Sequence, residues 1–278
     1  MLFVLYPMFI YILFHLYKID LYESIYYSLF LLLTLYFLVY LVLNPTIALI
    51  PYNMFIEYSY DKKVFYTEEE KRKIFPTSVL LEKYWYQIKQ EYLSLKFLST
   101  IPPTVPSTDE ILKRQDYKNI GEKFISESKE FWKGWNTLEL ISFGHINNKN
   151  LDKCPLLKEI LLSDPNITTA FFSILEPGKH IPSHYGPFKG ILRYHLGLII
   201  PPKESGDCFI SIDGETYDWK EGEGVLFDET YKHFVRNDTP YHRIILFLDV
   251  KRPMKTLPMK YLNDFILFLM GISPYNAA

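Results

Sequence analysis

The chain has only two cysteines in 278 residues. That excludes a fold held together by a disulfide framework. Cys154 and Cys208 could form one bridge or stay reduced, and neither outcome fixes a compartment. There is no CxxC pair and no Cys/His spacing of the zinc-finger kind. An excess of one charge is also missing: 30 Lys and Arg stand against 32 Asp and Glu, for a formal net charge of −2. Nothing in that balance points to nucleic acid as a partner. No internal repeat or low-complexity run occurs. Aromatic residues are plentiful instead, with 23 Tyr and 21 Phe, many of them in residues 1–50. The length suits one domain with additions, since a core of roughly 180–200 residues buries enough surface to be stable alone.

Residues 1–50 are almost uncharged. Leu2–Leu16 is an apolar run interrupted by Pro7, followed by Lys18, Asp20 and Glu23. Ser24–Leu43 is a second run, and about 20 helical residues cover the hydrocarbon core of a bilayer. The expectation is an N-terminal membrane anchor of one or two helices over residues 1–50. The shorter run could be a partial span or an interfacial segment. A cleaved signal peptide is the rival reading, and it lacks a basic leading region. The few flanking basic residues leave the side of the membrane open.

Residues 51–74 read as a linker. Phe75-Pro76-Thr77-Ser78 opens a helix, in which Leu81, Trp85, Ile88, Tyr92 and Leu95 recur at helical spacing on one face. A polar helix is expected over Thr108–Gln115. Cys154–Leu162 reads as a short helix. From Thr168 the texture changes to short strands and turns: Thr168–Glu176, Ile191–Ile200, Cys208–Ile212, Thr216–Trp219, Val225–Asp228, Phe234–Arg236 and Arg243–Val250. Many short antiparallel strands point to a barrel or jelly roll, with its core at 168–250. The tail, 256–278, is apolar around Phe265–Ile272 and too short to span. It reads as a helix on the core or on a membrane surface. Asn166-Ile167-Thr168 and Asn237-Asp238-Thr239 fit the N-glycosylation pattern.

Strand alternation sorts the chemistry. Arg193, His195 and Gly197 share one face of their strand with Ile191 and Ile199, while Leu192, Tyr194, Leu196 and Leu198 share the other. Arg243 shares a face with Ile245, Phe247 and Asp249. A mid-strand arginine faces either solvent or a buried anion, and a second one in the same pattern favours the anion. Five of the seven histidines lie between Thr168 and Val250. Of these, His184 and His233 can converge only if the intervening strands close a barrel. Neutral imidazoles suit Fe, Zn or Cu.

Four segments carry a family resemblance: PGKHIPSHYGP (177–187), LRYHLGLIIP (192–201), WKEGEGVLFDETYKH (219–233) and RIILFLDVKRP (243–253). In that order they resemble the aspartyl/asparaginyl β-hydroxylases, which are Fe(II)- and 2-oxoglutarate-dependent oxygenases. The likeness runs from about Phe75 to Pro253. It implies an oxygenase domain at 75–255, mainly β with flanking helices, built on a double-stranded β-helix (a cupin-like jelly roll). It also implies His184 and His233 as iron ligands, with O2 as co-reactant. By the same likeness Arg243 and Ser173 would hold the far carboxylate of 2-oxoglutarate, and Arg193 and His195 the metal-proximal end. Two residues after His184, where most such oxygenases place a carboxylate, stands Gly186, and the resembled family shares that glycine. Asp228 and Glu229 are candidates for accepting hydrogen bonds beside the metal. The resemblance implies hydroxylation of an unactivated carbon, foremost the β-carbon of Asp or Asn in a protein. A membrane-lipid acyl hydroxylase and a non-catalytic membrane-bound barrel are the alternatives.

Overall fold

The computed structural model describes residues 21–43, 46–97 and 134–272. The expected helix at Thr108–Gln115 and the first apolar run lie outside them. Five helices come first: α1 (Leu21–Leu43), α2 (Thr46–Ser59), α3 (Glu68–Ile74), α4 (Ser78–Lys83) and α5 (Trp85–Phe97). Then follow β1 (Trp135–Ser142), β2 (His145–Ile146), α6 (Asn148–Leu151) and α7 (Pro155–Ser163). The core comprises β3 (Ile167–Leu175), β4 (His180–His184), β5 (Ile191–Ile199), β6 (Cys208–Ile212), β7 (Glu215–Asp218), β8 (Gly224–Phe227), β9 (His233–Asn237) and β10 (Arg243–Lys251), and the chain closes with α8 (Leu257–Ile272).

The strands form two antiparallel sheets, a large one in the order β2-β1-β3-β10-β5-β8 and a small one in the order β4-β9-β6-β7. This is the expected jelly roll, and the strand ends fall within a residue or two of those read from sequence. Register fixes the two faces of the large sheet. Ile245 is opposite both Ser173 and Gly197, Phe247 opposite Phe171 and His195, and Asp249 opposite Thr169 and Arg193. These residues face the small sheet across the lumen. The alternate residues, among them Phe172, Tyr194, Leu196, Leu246 and Leu248, pack on Phe75, Leu81, Ile88, Tyr92 and Leu157 from the helices. This face and the helices on it hold the largest of the buried apolar clusters among the described residues. The opposite face is thereby left for polar chemistry.

Several sequence expectations change. The helix read over Ser78–Leu95 is two helices, with Tyr84 between them. The linker at 51–74 is largely helical: α2 runs through Pro51, and α3 starts at a capping box in which Thr67 and Glu70 bond each other's backbone. That S/T-x-x-E signature was readable before the structure. Cys154 and Cys208 are free thiols. Asn237 is fully buried and its amide donates to the carbonyls of Glu176 and Tyr241, so it is a turn-holding residue and not a glycan acceptor. The expected spanning helix is not borne out either. Among the described residues no helix is long and apolar enough to cross a membrane. In α1 the apolar run is interrupted by Tyr22, Tyr26, Tyr27, Tyr36 and Tyr40, with Ser24, Ser28 and Thr34 between them.

Gly197 shows how tightly the lumen strand is built. A Cβ there would stand 2.1 Å from the Lys220 carbonyl oxygen, and Gly222 donates its N–H to the Gly197 carbonyl at 2.9 Å. The turn carrying Trp219 therefore lies directly on this glycine. Gly197→Ala is expected to destabilise the chain by about 2–3 kcal/mol, because backbone rather than a flexible side chain must move. Denaturant melts of the two proteins check this.

Candidate active site

Two imidazoles form the centre of the site. β4 and β9 pair so that His184 is directly opposite His233, and their ring centroids are 4.1 Å apart. Each ring is held in the same way: Nδ1 of His184 bonds the Pro182 carbonyl at 2.7 Å, and Nδ1 of His233 bonds the Tyr231 carbonyl at 2.9 Å. A carbonyl partner requires the proton on Nδ1, so Nε2 carries the lone pair that a metal needs. Burial lowers both pKa values. That of His233 falls to about 3, through desolvation first and then its neighbour His184. His184 is lowered by desolvation, against the Pro182 bond, with Arg193 adding to the fall. The rings are thus neutral, the form in which histidine ligates.

Among the described residues, no group of three or more histidine, cysteine or acidic side chains gathers where it could hold a metal. Gly186 is the reason. A Cβ at Gly186 would meet the Glu229 side chain at 2.4–2.7 Å, and the Gly186 N–H donates to the Glu229 carbonyl at 3.0 Å. Glu229 fills the space that a carboxylate on residue 186 would take. Its own carboxylate is paired with Arg193, whose Nε also donates to Asp249 at 3.0 Å. Arg193 lies 4.1 Å over the Phe247 ring. Desolvation lowers the pKa of Arg193 and raises that of Asp249, against their mutual attraction.

Asp228 is placed elsewhere. Its carboxylate takes Arg252 and Thr230, with Lys189 at 3.6 Å. Asp228 was expected beside the metal, and its carboxylate is occupied by these groups. Asp228 and Glu229 lie in the turn past the end of β8, which sends Asp228 to the ion cluster and Glu229 to Arg193 beside Gly186.

Deeper in the lumen lies a set of donors without acceptors. Arg243 is 1% exposed, and its Nε and Nη2 meet no protein acceptor. Burial lowers its pKa to about 10. Both ring nitrogens of His195 are also unpartnered, as is Nε1 of Trp219. The three side chains adjoin: the Arg243 guanidinium is 4.9 Å over the Trp219 ring, and the His195 and Trp219 centroids are 6.0 Å apart. Phe227 and Phe247 enclose His195 at 4.8 and 5.0 Å. Ser173 is buried two residue pairs along the ladder from Arg243 and accepts from Trp135 Nε1 at 2.8 Å, which leaves its hydroxyl proton to donate onward. Buried donors of this kind are costly unless an acceptor completes them. A small dicarboxylate fits such a set, with the guanidinium fork at one end.

The structure therefore brings His184, His233, Arg193, His195, Ser173 and Arg243 to one lumen, together with Glu229 and Gly186. His180 is half-exposed and bonds Asp238 outside it. Trp219 was not singled out from the sequence, where it reads as one more strand aromatic.

The imidazoles make the metal-free chain acid-sensitive. Their folded pKa values lie below the ordinary 6.5, so below that pH the unfolded chain binds more protons. Their contribution is complete above about pH 6.5 and declines as the medium is acidified toward the depressed folded values. The slope is up to about 1.4 kcal/mol per pH unit for each fully buried ring. The Tm of metal-free protein is expected to drop steadily from pH 7 to pH 5, and to drop less steeply in His195→Leu.

With this geometry in place, comparison with known proteins is direct. A family model described as Aspartyl/Asparaginyl beta-hydroxylase matches residues 82–253. The ornithine lipid ester-linked acyl 2-hydroxylase of Rhizobium tropici is 38% identical over 141 residues, covering 51% of this chain and 50% of that protein. The human aspartyl/asparaginyl beta-hydroxylase is 35% identical over 127 residues, 44% of this chain and 16% of that one. The chain thus spans about half the length of the first relative and a small part of the second. Among solved structures, a collagen prolyl hydroxylase from Paramecium Bursaria Chlorella virus-1, in complex with 2OG, overlaps at 15% identity and a TM-score of 0.30, over 45% of this chain and 84% of that one. An overlap that weak adds nothing to the fold already seen in the two sheets. The sequence match takes in more than half of the residues, from α4 to the end of β10, and the chain belongs to the aspartyl/asparaginyl beta-hydroxylase family.

Proposed function

We propose that the protein is an Fe(II)- and 2-oxoglutarate-dependent hydroxylase. The observation that carries the reading is the pairing of two neutral, carbonyl-anchored imidazoles with a buried, acceptor-less Arg243 in one lumen. His184 and His233 would hold the iron through Nε2. Iron(II) at that point supplies the oxygen-activating power that no side chain here possesses. The overall balance is R–H + O2 + 2-oxoglutarate → R–OH + CO2 + succinate.

The chain's own groups set position and polarity. Arg243 and Ser173 would bind the far carboxylate of the cosubstrate, the guanidinium in bidentate fashion. Trp219 Nε1 lies within the same cluster of unpartnered donors. His195 would donate to the end nearer the iron, its neutral form enforced by burial and by the two flanking arginines. Arg193 holds Glu229 at the edge of the metal site, and Glu229 would orient water there in place of the missing carboxylate. The aromatic walls of Phe171, Phe227 and Phe247 would keep bulk water from the reacting carbon. The substrate is either an Asp or Asn side chain of a protein or an acyl chain of a lipid, and a membrane location follows the second choice.

Purified protein with Fe(II), O2 and 2-oxoglutarate is expected to form succinate. His184→Ala should lower that rate at least about a hundredfold, since removing one of two protein ligands removes most of the metal affinity. An unchanged rate in that variant would disprove the iron assignment. Arg243→Lys is expected to raise the KM for 2-oxoglutarate about tenfold or more, by loss of the fork. Trp219 should report binding directly. Adding 2-oxoglutarate to metal-loaded protein, with O2 excluded, is expected to change Trp fluorescence, and Trp219→Phe should remove the part of the change that Arg243→Lys weakens.

A further inference from the structure

The sheet does not by itself fix the spacing of the two imidazoles. β4 is an edge strand of the small sheet. Its pairing with β9 is regular at His180 and Ile181 and irregular from there to His184, so the ladder is interrupted just before the first histidine. His184 is the last residue of β4, and His233 is the first of β9. An irregular ladder bends its strand and re-aims the side chains. The direction of each ring therefore depends on what holds the chain beyond the strand end.

Beyond both strand ends the chain meets one guanidinium. Lys189 lies five residues after His184, and Asp228 five residues before His233. Arg252 directly follows β10 and is 6% exposed. Its Nε donates to the Lys189 carbonyl at 2.6 Å, its Nη1 to the Tyr66 hydroxyl at 3.1 Å, and its Nη2 to the Asp228 carboxylate. Its backbone N–H donates to the Gly190 carbonyl at 3.0 Å. The other Asp228 oxygen accepts from the N–H and the hydroxyl of Thr230, at 3.0 and 2.6 Å, and so shapes the turn that leads to His233. The Lys189 ammonium crosses the same gap. It is 3.6 Å from Asp228 and 4.4 Å over the Tyr231 ring, and Tyr231 is the residue whose carbonyl fixes His233. A buried ion pair is a poor source of stability, because the cost of desolvation offsets the attraction. With each guanidinium nitrogen on a different partner, what it supplies is geometry.

We infer that Arg252 and Asp228 are positioning residues of the metal site, which set His184 against His233 by tying the loop after the first to the turn before the second. This rests on the reading of the two histidines as iron ligands. Arg252 and Asp228 act through the backbone of residues 189–190 and 230–231.

The test measures the Fe(II) affinity of the full chain, by competition with a chromophoric chelator and with O2 excluded. Arg252→Lys keeps the charge and loses the fork. Asp228→Asn keeps the acceptor for Thr230 and loses the charge. Each is expected to weaken Fe(II) binding about tenfold or more, as loss of groups that orient metal ligands does. The double variant Arg252→Met/Asp228→Asn leaves neither charge of the pair behind. It is expected to melt close to wild type and still to bind Fe(II) about tenfold more weakly. Leu157→Ala, on the helix side of the large sheet, should melt earlier and bind Fe(II) as wild type does. A second signature needs no metal. Nitrogen NMR of the metal-free wild type is expected to show the His233 proton on Nδ1, and in the double variant a measurable share should move to Nε2 as the Tyr231 carbonyl leaves its place. Wild-type affinity in the folded double variant, or an equal loss of affinity in Leu157→Ala, overturns the proposal. Wild type that binds no Fe(II) refutes the metal reading, and the His233 tautomer then judges the positioning alone.

Discussion

Neighbouring residues of a strand must point to opposite faces, and the large sheet uses that constraint throughout. One set of positions on β3, β5 and β10 is Leu, Ile, Tyr and Phe and is sealed by the helices. The other set carries Ser173, Arg193, His195, Arg243 and Asp249 into the lumen. Slipping β5 or β10 by a single residue would put an arginine into the apolar layer and turn its leucines toward the lumen. The penalty for that exchange is what fixes the register. Stability and chemistry are thus separated by face, and the same strands serve both.

Inside the lumen, polarity is arranged along a gradient. Near β4 and β9 the side chains are neutral rings beside a paired Arg193 and Glu229. Farther in, the charge of Arg243 is met by an indole face instead of a carboxylate. A carboxylate partner would have neutralised Arg243 and made the interior indifferent to anions. Leaving the guanidinium beside a π-face keeps its charge uncompensated by any protein carboxylate.

Much of this was legible in the sequence. Alternation alone placed Arg193 with His195 and Arg243 with Asp249. The strand boundaries followed from turn residues and β-branched runs. What was not legible involved contacts between distant segments. Asp228 and Glu229 are adjacent in sequence and indistinguishable in composition, yet Arg252, far along the chain, claims the first and Arg193 the second. Trp219 was hidden for a similar reason, because its unpartnered N–H matters only beside Arg243. The N-terminal segment misled in another way. Apolar length suggested a span, but the tyrosines within it made α1 a different kind of helix. The reading of 51–74 as linker missed α2, because Pro51 lies within that helix.

The grip of α2 on the loop after His184 has a consequence for what counts as the domain. Asn53 holds both sides of Pro187-Phe188-Lys189, Glu57 pairs with Lys189, and Tyr52 donates to Asn263 of α8 at 2.8 Å. Asn263 in turn donates to the Gly190 carbonyl at 3.0 Å. The loop after His184 is thus tied to helices near both ends of the chain, and both helices lie outside residues 82–253, where the family likeness is found. The unit that heredity shares and the unit that folds are therefore not the same. Swapping the shared segment into a relative would transfer the two histidines without the clasp that keeps one of them in line.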